Sequence, residues 1–101
     1  MHAVLKRRLD VEAIICYNDL VAVGAMEAAH ELGIRVPGDV AVVGCDDIRL
    51  ASLMRPSLTT LRIDKYELGR AAANLLFGLL EGGSPSHVTI KPELAVRSSA
   101  P

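Results

Sequence analysis

Apolar positions along the chain follow two different rhythms. Ala13-Ile14-Ile15-Cys16 and Val40-Ala41-Val42-Val43 are unbroken apolar runs. Runs of four to eight such residues, rich in β-branched types, predict strands buried on both faces, as in the interior of a parallel sheet. Between them Leu20, Val23, Met26, Ala29 and Leu32 recur at helical spacing, with Glu27, His30 and Glu31 as a polar stripe. This predicts a helix over 20–32, stopped by Gly33 as a left-handed C-cap. Val36-Pro37-Gly38-Asp39 then has the composition of a type II turn. Strand, helix and strand within about 30 residues make a βαβ unit, whose two strands run parallel through a right-handed crossover.

Past Asp47 the pattern loosens. Ile48 to Met54 predicts a helical turn or two, ended at Arg55-Pro56 because the residue before proline is pushed out of the α region. Leu58 to Ile63 alternates and predicts a third strand with one face wet or against another layer. Asp64 and Glu67 stand at capping-box spacing before a helix that runs to about Glu81. Leu68, Ala72, Leu75, Leu76, Leu79 and Leu80 share one face of it. Short alternating signals follow at Val88-Thr89-Ile90 and Leu94-Ala95-Val96, and residues 1–10 read as a short charged helix. The fold class expected is α/β, a parallel-sheet αβα sandwich. Strands covered on both faces need helices on both sides, and three helices are few for that task. The chain is thus a very small sandwich or a piece of something larger.

Composition narrows the picture. The 101 residues are one small domain at most, half hydrophobic, with 3% aromatics and no Trp, so the core is aliphatic. A net charge of −1 with both signs interspersed gives no basic face for nucleic acid. Lys6-Arg7-Arg8 is too short a block for one and reads as a solvated face. No apolar run approaches the roughly 20 residues that span a membrane. Cys16 and Cys45 are too few for a disulfide scaffold and read as reduced, buried thiols. Residues 1–10 carry no leader pattern, and a cytoplasmic protein is expected. His30 and His87 read as surface residues, and His2 as a start remnant. No cofactor and no metal-ligand set is expected.

Polar residues stand where the apolar runs stop: Tyr17-Asn18-Asp19 after the first, Asp46-Asp47 after the second, Arg62 closing the third. In open α/β sheets ligands collect beyond the carboxyl ends of the strands. Asn18 and Asp19 suit a helix N-cap, and Asp46 a loop cap, so a structural reading stands beside a binding one. A third reading makes the two acids a Mg²⁺ site in a small metal-dependent enzyme or receiver-like domain. Against an enzyme, the chain has no glycine-rich phosphate loop, no G-x-S-x-G elbow and no H-E-x-x-H pair.

Several blocks resemble one family. Ala13-Ile14-Ile15-Cys16-Tyr17-Asn18-Asp19 with Ala22-Val23-Gly24-Ala25 is similar to the strand–Asn-Asp–helix segment of the lactose-repressor (LacI/GalR) regulators. Val36 to Asp47 resembles the next block, and Pro56-Ser57-Leu58-Thr59-Thr60-Leu61-Arg62 the family's P-x-L-T-T signature. Leu68-Gly69-Arg70-Ala71-Ala72 and Pro92 to Ser99 continue in order. The resemblance implies a partial periplasmic-binding-protein-like (type I) lobe. Residues 11–64 and 87–101 would form its C-terminal lobe, and 65–86 would pack on an N-terminal lobe that this chain does not hold. It also implies a sugar- or nucleoside-like effector bound by a transcriptional repressor that is not an enzyme. DNA would be read only through a separate helix-turn-helix, and the protein would be a homodimer or larger assembly. A purely structural dimerisation fragment is the remaining reading. Asn18 and Asp46 take the places of the family's ligand contacts, Tyr17 and Arg62 those of the cleft wall, and Asp47 that of a structural acid. Ile63, where some members have a polar contact, is apolar here.

Overall fold

The computed structural model describes Ala3 and residues 11–101. Apart from Ala3, the helix expected over 1–10 lies outside the described residues. Four strands form one sheet in the order β1-β2-β3-β4: β1 is Ala13–Ile15, β2 Ala41–Cys45, β3 Thr59–Arg62 and β4 Glu93–Ala95. β1 pairs with β2 in parallel (Ala13 with Ala41, Ile15 with Val43), and β2 with β3 in parallel (Val43 with Thr59, Cys45 with Leu61). The helices are α1 (Asp19–Glu31), α2 (Arg49–Leu53) and α3 (Lys65–Leu80). The α/β class and the parallel sheet agree with the sequence. The chain divides into two compact units, Met1–Arg62 with Leu94–Pro101, and Ile63–Glu93.

In the first unit α1 lies on the sheet through Ala22, Ala25, Met26, Ala28 and Ala29, all buried. Small side chains let helix and sheet approach closely. Cys16, Ala22, Ala25, Met26, Val42, Ala51 and Leu58 make one apolar cluster, so α2 joins the same core through Ala51. Full burial of Val40, Val42 and Leu58 is worth about 1.5–3 kcal/mol each.

The expectation of strands buried on both faces is corrected. β2 alternates, with Val42 and Gly44 buried and Ala41, Val43 and Cys45 half-buried. β1 is an edge of the sheet, and Ile15 is 81% exposed. An unbroken apolar run marks strands meant to be covered twice, but among the described residues both helices of this unit pack into one core. Two local readings also change. Gly38 is not in the positive-φ region that a type II turn needs; the turn closes instead by the Asp39 N–H donating to the Arg35 carbonyl at 2.8 Å. Val88–Ile90 forms no strand. Gly33 does end α1 with φ 71°.

The carboxyl-terminal segment ties β2 to the start of β3. Ser99 is fully buried. Its carbonyl accepts from Val42 N at 3.0 Å and its N–H donates to Ser57 O at 2.9 Å. Its hydroxyl donates to Val42 O at 2.6 Å and accepts from Thr59 N at 2.8 Å. One serine thus satisfies strand groups that have no ladder partner there.

In the second unit Asp64 caps α3 by accepting from Glu67 N at 2.9 Å. Glu67 does not complete the capping box. Its carboxylate takes Arg70 Nε at 2.8 Å and Nη2 at 2.6 Å, a bidentate pair one turn on. No residue of α3 is buried, and Leu76, Phe77 and Leu80 are 55%, 60% and 73% exposed.

Candidate functional site

Parallel pairing delivers the carboxyl ends of β1, β2 and β3 to one edge. Ile15 is level with Val43, and Val43 with Thr59. Asn18 stands three residues past the end of β1, Asp46 directly follows β2, and Arg62 is the last residue of β3. The ladder reaches Asp46 on one side, since Asp46 N donates to Leu61 O at 2.8 Å. The structure therefore brings Tyr17, Asn18, Asp46, Asp47 and Arg62 to one rim. A groove of about 660 Å³ lined by Val23, Met26, His30, Ile34 and Met54 lies elsewhere on this unit, and none of the five rim residues lines it.

Asn18 is the N-cap of α1. Its Oδ1 accepts from Val21 N at 2.9 Å, and its backbone is extended. Among the described residues its amide NH₂ makes no hydrogen bond. The capping reading is correct, and it leaves one polar end of the side chain for another partner. Tyr17 is 89% exposed.

Asp46 and Asp47 both have positive φ, 112° and 48°. Such backbone costs about 1–3 kcal/mol per non-glycine residue and persists where its surroundings over-determine it. Here they do. Asp47 is gripped at both oxygens: Arg62 Nε donates to Oδ2 and Arg97 Nη2 to Oδ1, each at 2.7 Å. Arg97 Nη1 also donates to Leu58 O at 2.8 Å. Burial alone would raise the Asp47 carboxyl, but the two guanidinium hydrogen bonds outweigh it and hold the carboxyl below its usual value. A carboxyl lowered in the folded state adds stability above its unfolded pKa, and this is lost as pH falls through the folded value.

Asp19 pins the same loop from below. It is completely buried. Oδ1 accepts from the Thr60 hydroxyl at 2.5 Å and Oδ2 from Ile48 N at 2.8 Å. Gly44 makes room for it, because a Cβ there would sit 2.2 Å from Asp19 Oδ1. Sequence reasoning reached Asp19 only as a cap and missed Thr60, Gly44 and Arg97 altogether. A doubled polar residue at a strand end was a signal for Asp19. No spacing signal leads to Arg97, 50 residues from Asp47. The Mg²⁺ reading loses support, because Asp47 already holds two guanidinium groups, one on each carboxylate oxygen.

The periplasmic binding protein-like domain family matches residues 2–100. The chain belongs to that family, in the form found in LacI/GalR regulators. It is 40% identical over 89 residues to an HTH-type transcriptional repressor PurR of Histophilus somni, an alignment covering 86% of this chain and 27% of the relative. It superposes on a LacI family transcriptional regulator from Arthrobacter sp. FB24, solved in complex with lactose, with TM-score 0.85 and 40% identity over 99% of this chain and 39% of the other. The transcriptional regulator CelR–cellobiose complex gives TM-score 0.89 and 35% identity over 95% of this chain and 30% of that one. The chain thus spans under a third of the curated LacI/GalR relative. Within the LacI/GalR fold it supplies the β1-α1-β2-α2-β3 run whose strand ends form the rim. No helix of the described residues is long and apolar enough to cross a membrane.

Proposed function

We propose that the chain forms one wall of a small-molecule effector site in a transcriptional repressor, with a sugar-like ligand held at the rim. One observation supports this reading: parallel pairing brings the carboxyl ends of β1, β2 and β3 to one edge of the sheet, with Asn18 and Asp46 just past β1 and β2 and Arg62 the last residue of β3. Short polar side chains on rigid strand ends suit neutral polyols, which need donors and acceptors fixed in place. Asp46 accepts from ligand hydroxyls, the Asn18 amide donates, and Tyr17 and Arg62 line the wall. The lactose and cellobiose in the two structural relatives support the sugar class. The cleft is completed by a second lobe. The bare leucine face of α3 supports packing of 65–86 against that lobe, since large apolar patches seldom stay uncovered. The complete protein is then a cytoplasmic homodimer or larger assembly that reads DNA through a separate helix-turn-helix.

The test is calorimetric titration of lactose and of cellobiose into the complete two-lobed protein. Asp46→Ala is expected to abolish measurable binding. Asn18→Asp keeps the cap, since both types cap equally well, but deletes the NH₂ donor. It is expected to weaken binding by about tenfold, the loss of roughly one hydrogen bond. Unchanged affinity in Asp46→Ala would refute the assignment.

A further inference from the structure

Arg97 lies outside the rim, yet it is bound to the residue next to the ligand acid. We propose that Arg97 is a positioning residue for the effector site: through Asp47 it sets the backbone that aims Asp46. The inference rests on the binding role given to Asp46 above.

Asp46 and Asp47 hold two successive positive φ angles without a glycine. Left alone, an L-residue at φ 112° would relax to negative φ, so something must hold it. The contacts are specific. Arg97 is only 19% exposed and its fork is used at both ends, Nη1 on Leu58 O and Nη2 on Asp47 Oδ1. Its own N–H donates to Thr59 Oγ1 at 2.7 Å, which fixes its backbone against β3. Thr59 returns its hydroxyl to the Arg97 and Ala100 carbonyls, each at 3.0 Å. Arg97 is therefore a rigid strut, and a planar fork bound at two points is harder to displace than a flexible ammonium. Arg62 holds the other oxygen of Asp47, but its side chain is 52% exposed. On the far side Ile48 N is tied to Asp19. Asp47 is thus fixed at its side chain and its successor at the backbone, which leaves Asp46 little freedom.

The experiment is NMR on the full chain. It reads the three-bond HN–Hα couplings and Cα shifts of Asp46 and Asp47 in the wild type, Arg97→Met and Arg97→Lys. In folded Arg97→Met both residues are expected to move toward negative-φ values, while α1 and β1 signals stay in place. Arg97→Lys, keeping charge but not the fork, should fall between. A loss of stability alone would leave the folded-state couplings at Asp46 unmoved. Should Arg97→Met fail to fold, Asp47→Asn removes the charge with almost no change of shape and is expected to shift Asp46 in the same direction. Unchanged Asp46 and Asp47 values in whichever of the two variants folds overturn the inference. Because no ligand enters this measurement, a failed sugar titration sinks the functional reading and leaves this result standing.

Discussion

Gly44→Ala is expected to destabilise the protein by about 3 kcal/mol, at the upper end of overpacking costs. The added Cβ would sit 2.2 Å from Asp19 Oδ1 and 3.0 Å from Leu58 Cδ2. Neither neighbour can give way cheaply. Asp19 is held by Thr60 and by Ile48 N, and Leu58 is fully buried. A domain of this size is stable by only about 5–15 kcal/mol, so the loss is a large share of the total. Urea unfolding followed by circular dichroism measures it as a drop in midpoint with little change in slope. A midpoint within error of wild type would mean that the helix–sheet spacing at Gly44 is looser than described.

Asp19→Ala is the second large effect, again about 3 kcal/mol. It removes the acceptor for a buried hydroxyl and for a backbone N–H, and each unpaired polar group costs about 1–3 kcal/mol. Asp19→Asn should cost less than half as much, because an amide can accept from Ile48 N and donate to Thr60 Oγ1. The two sites also couple. In an Asp19→Ala background the closest atom to the Gly44 Cβ position is gone, so Gly44→Ala should cost less there than in the wild type. Strictly additive losses in a double-mutant cycle would show that Gly44 is small for some other reason.

How much of this was open to the sequence depended on the range of the interaction. Local patterns placed the helices well. Asn18 before an apolar 3.6-residue period marks the start of α1 and Gly33 its end, because caps answer to neighbours three or four residues away. The strands were found but their faces were misjudged. An apolar run reports that both sides are meant to be covered, not that the described residues cover them, and Ile15 and Val43 are exposed and half-buried. The turn at Val36–Asp39 failed for a similar reason: Pro-Gly composition permits a type II turn without enforcing it, and the Arg35–Asp39 contacts close it another way. At the rim, strand ends with polar residues are legible, and parallel pairing brings those strand ends to one edge of the sheet. What supports them is not. Arg97 reaches Asp47 across 50 residues and Asp19 reaches Thr60 across 41, and pairings of that kind follow from the sheet order, which no periodicity encodes.

A crystal structure of the complete two-lobed protein with its sugar shows directly where the ligand sits. A sugar hydroxyl is expected on the Asp46 carboxylate and another on the Asn18 amide nitrogen, with Asp47 still held between Arg62 and Arg97. A sugar bound away from the ends of β1 and β2, with Asp46 and Asn18 untouched, would contradict it.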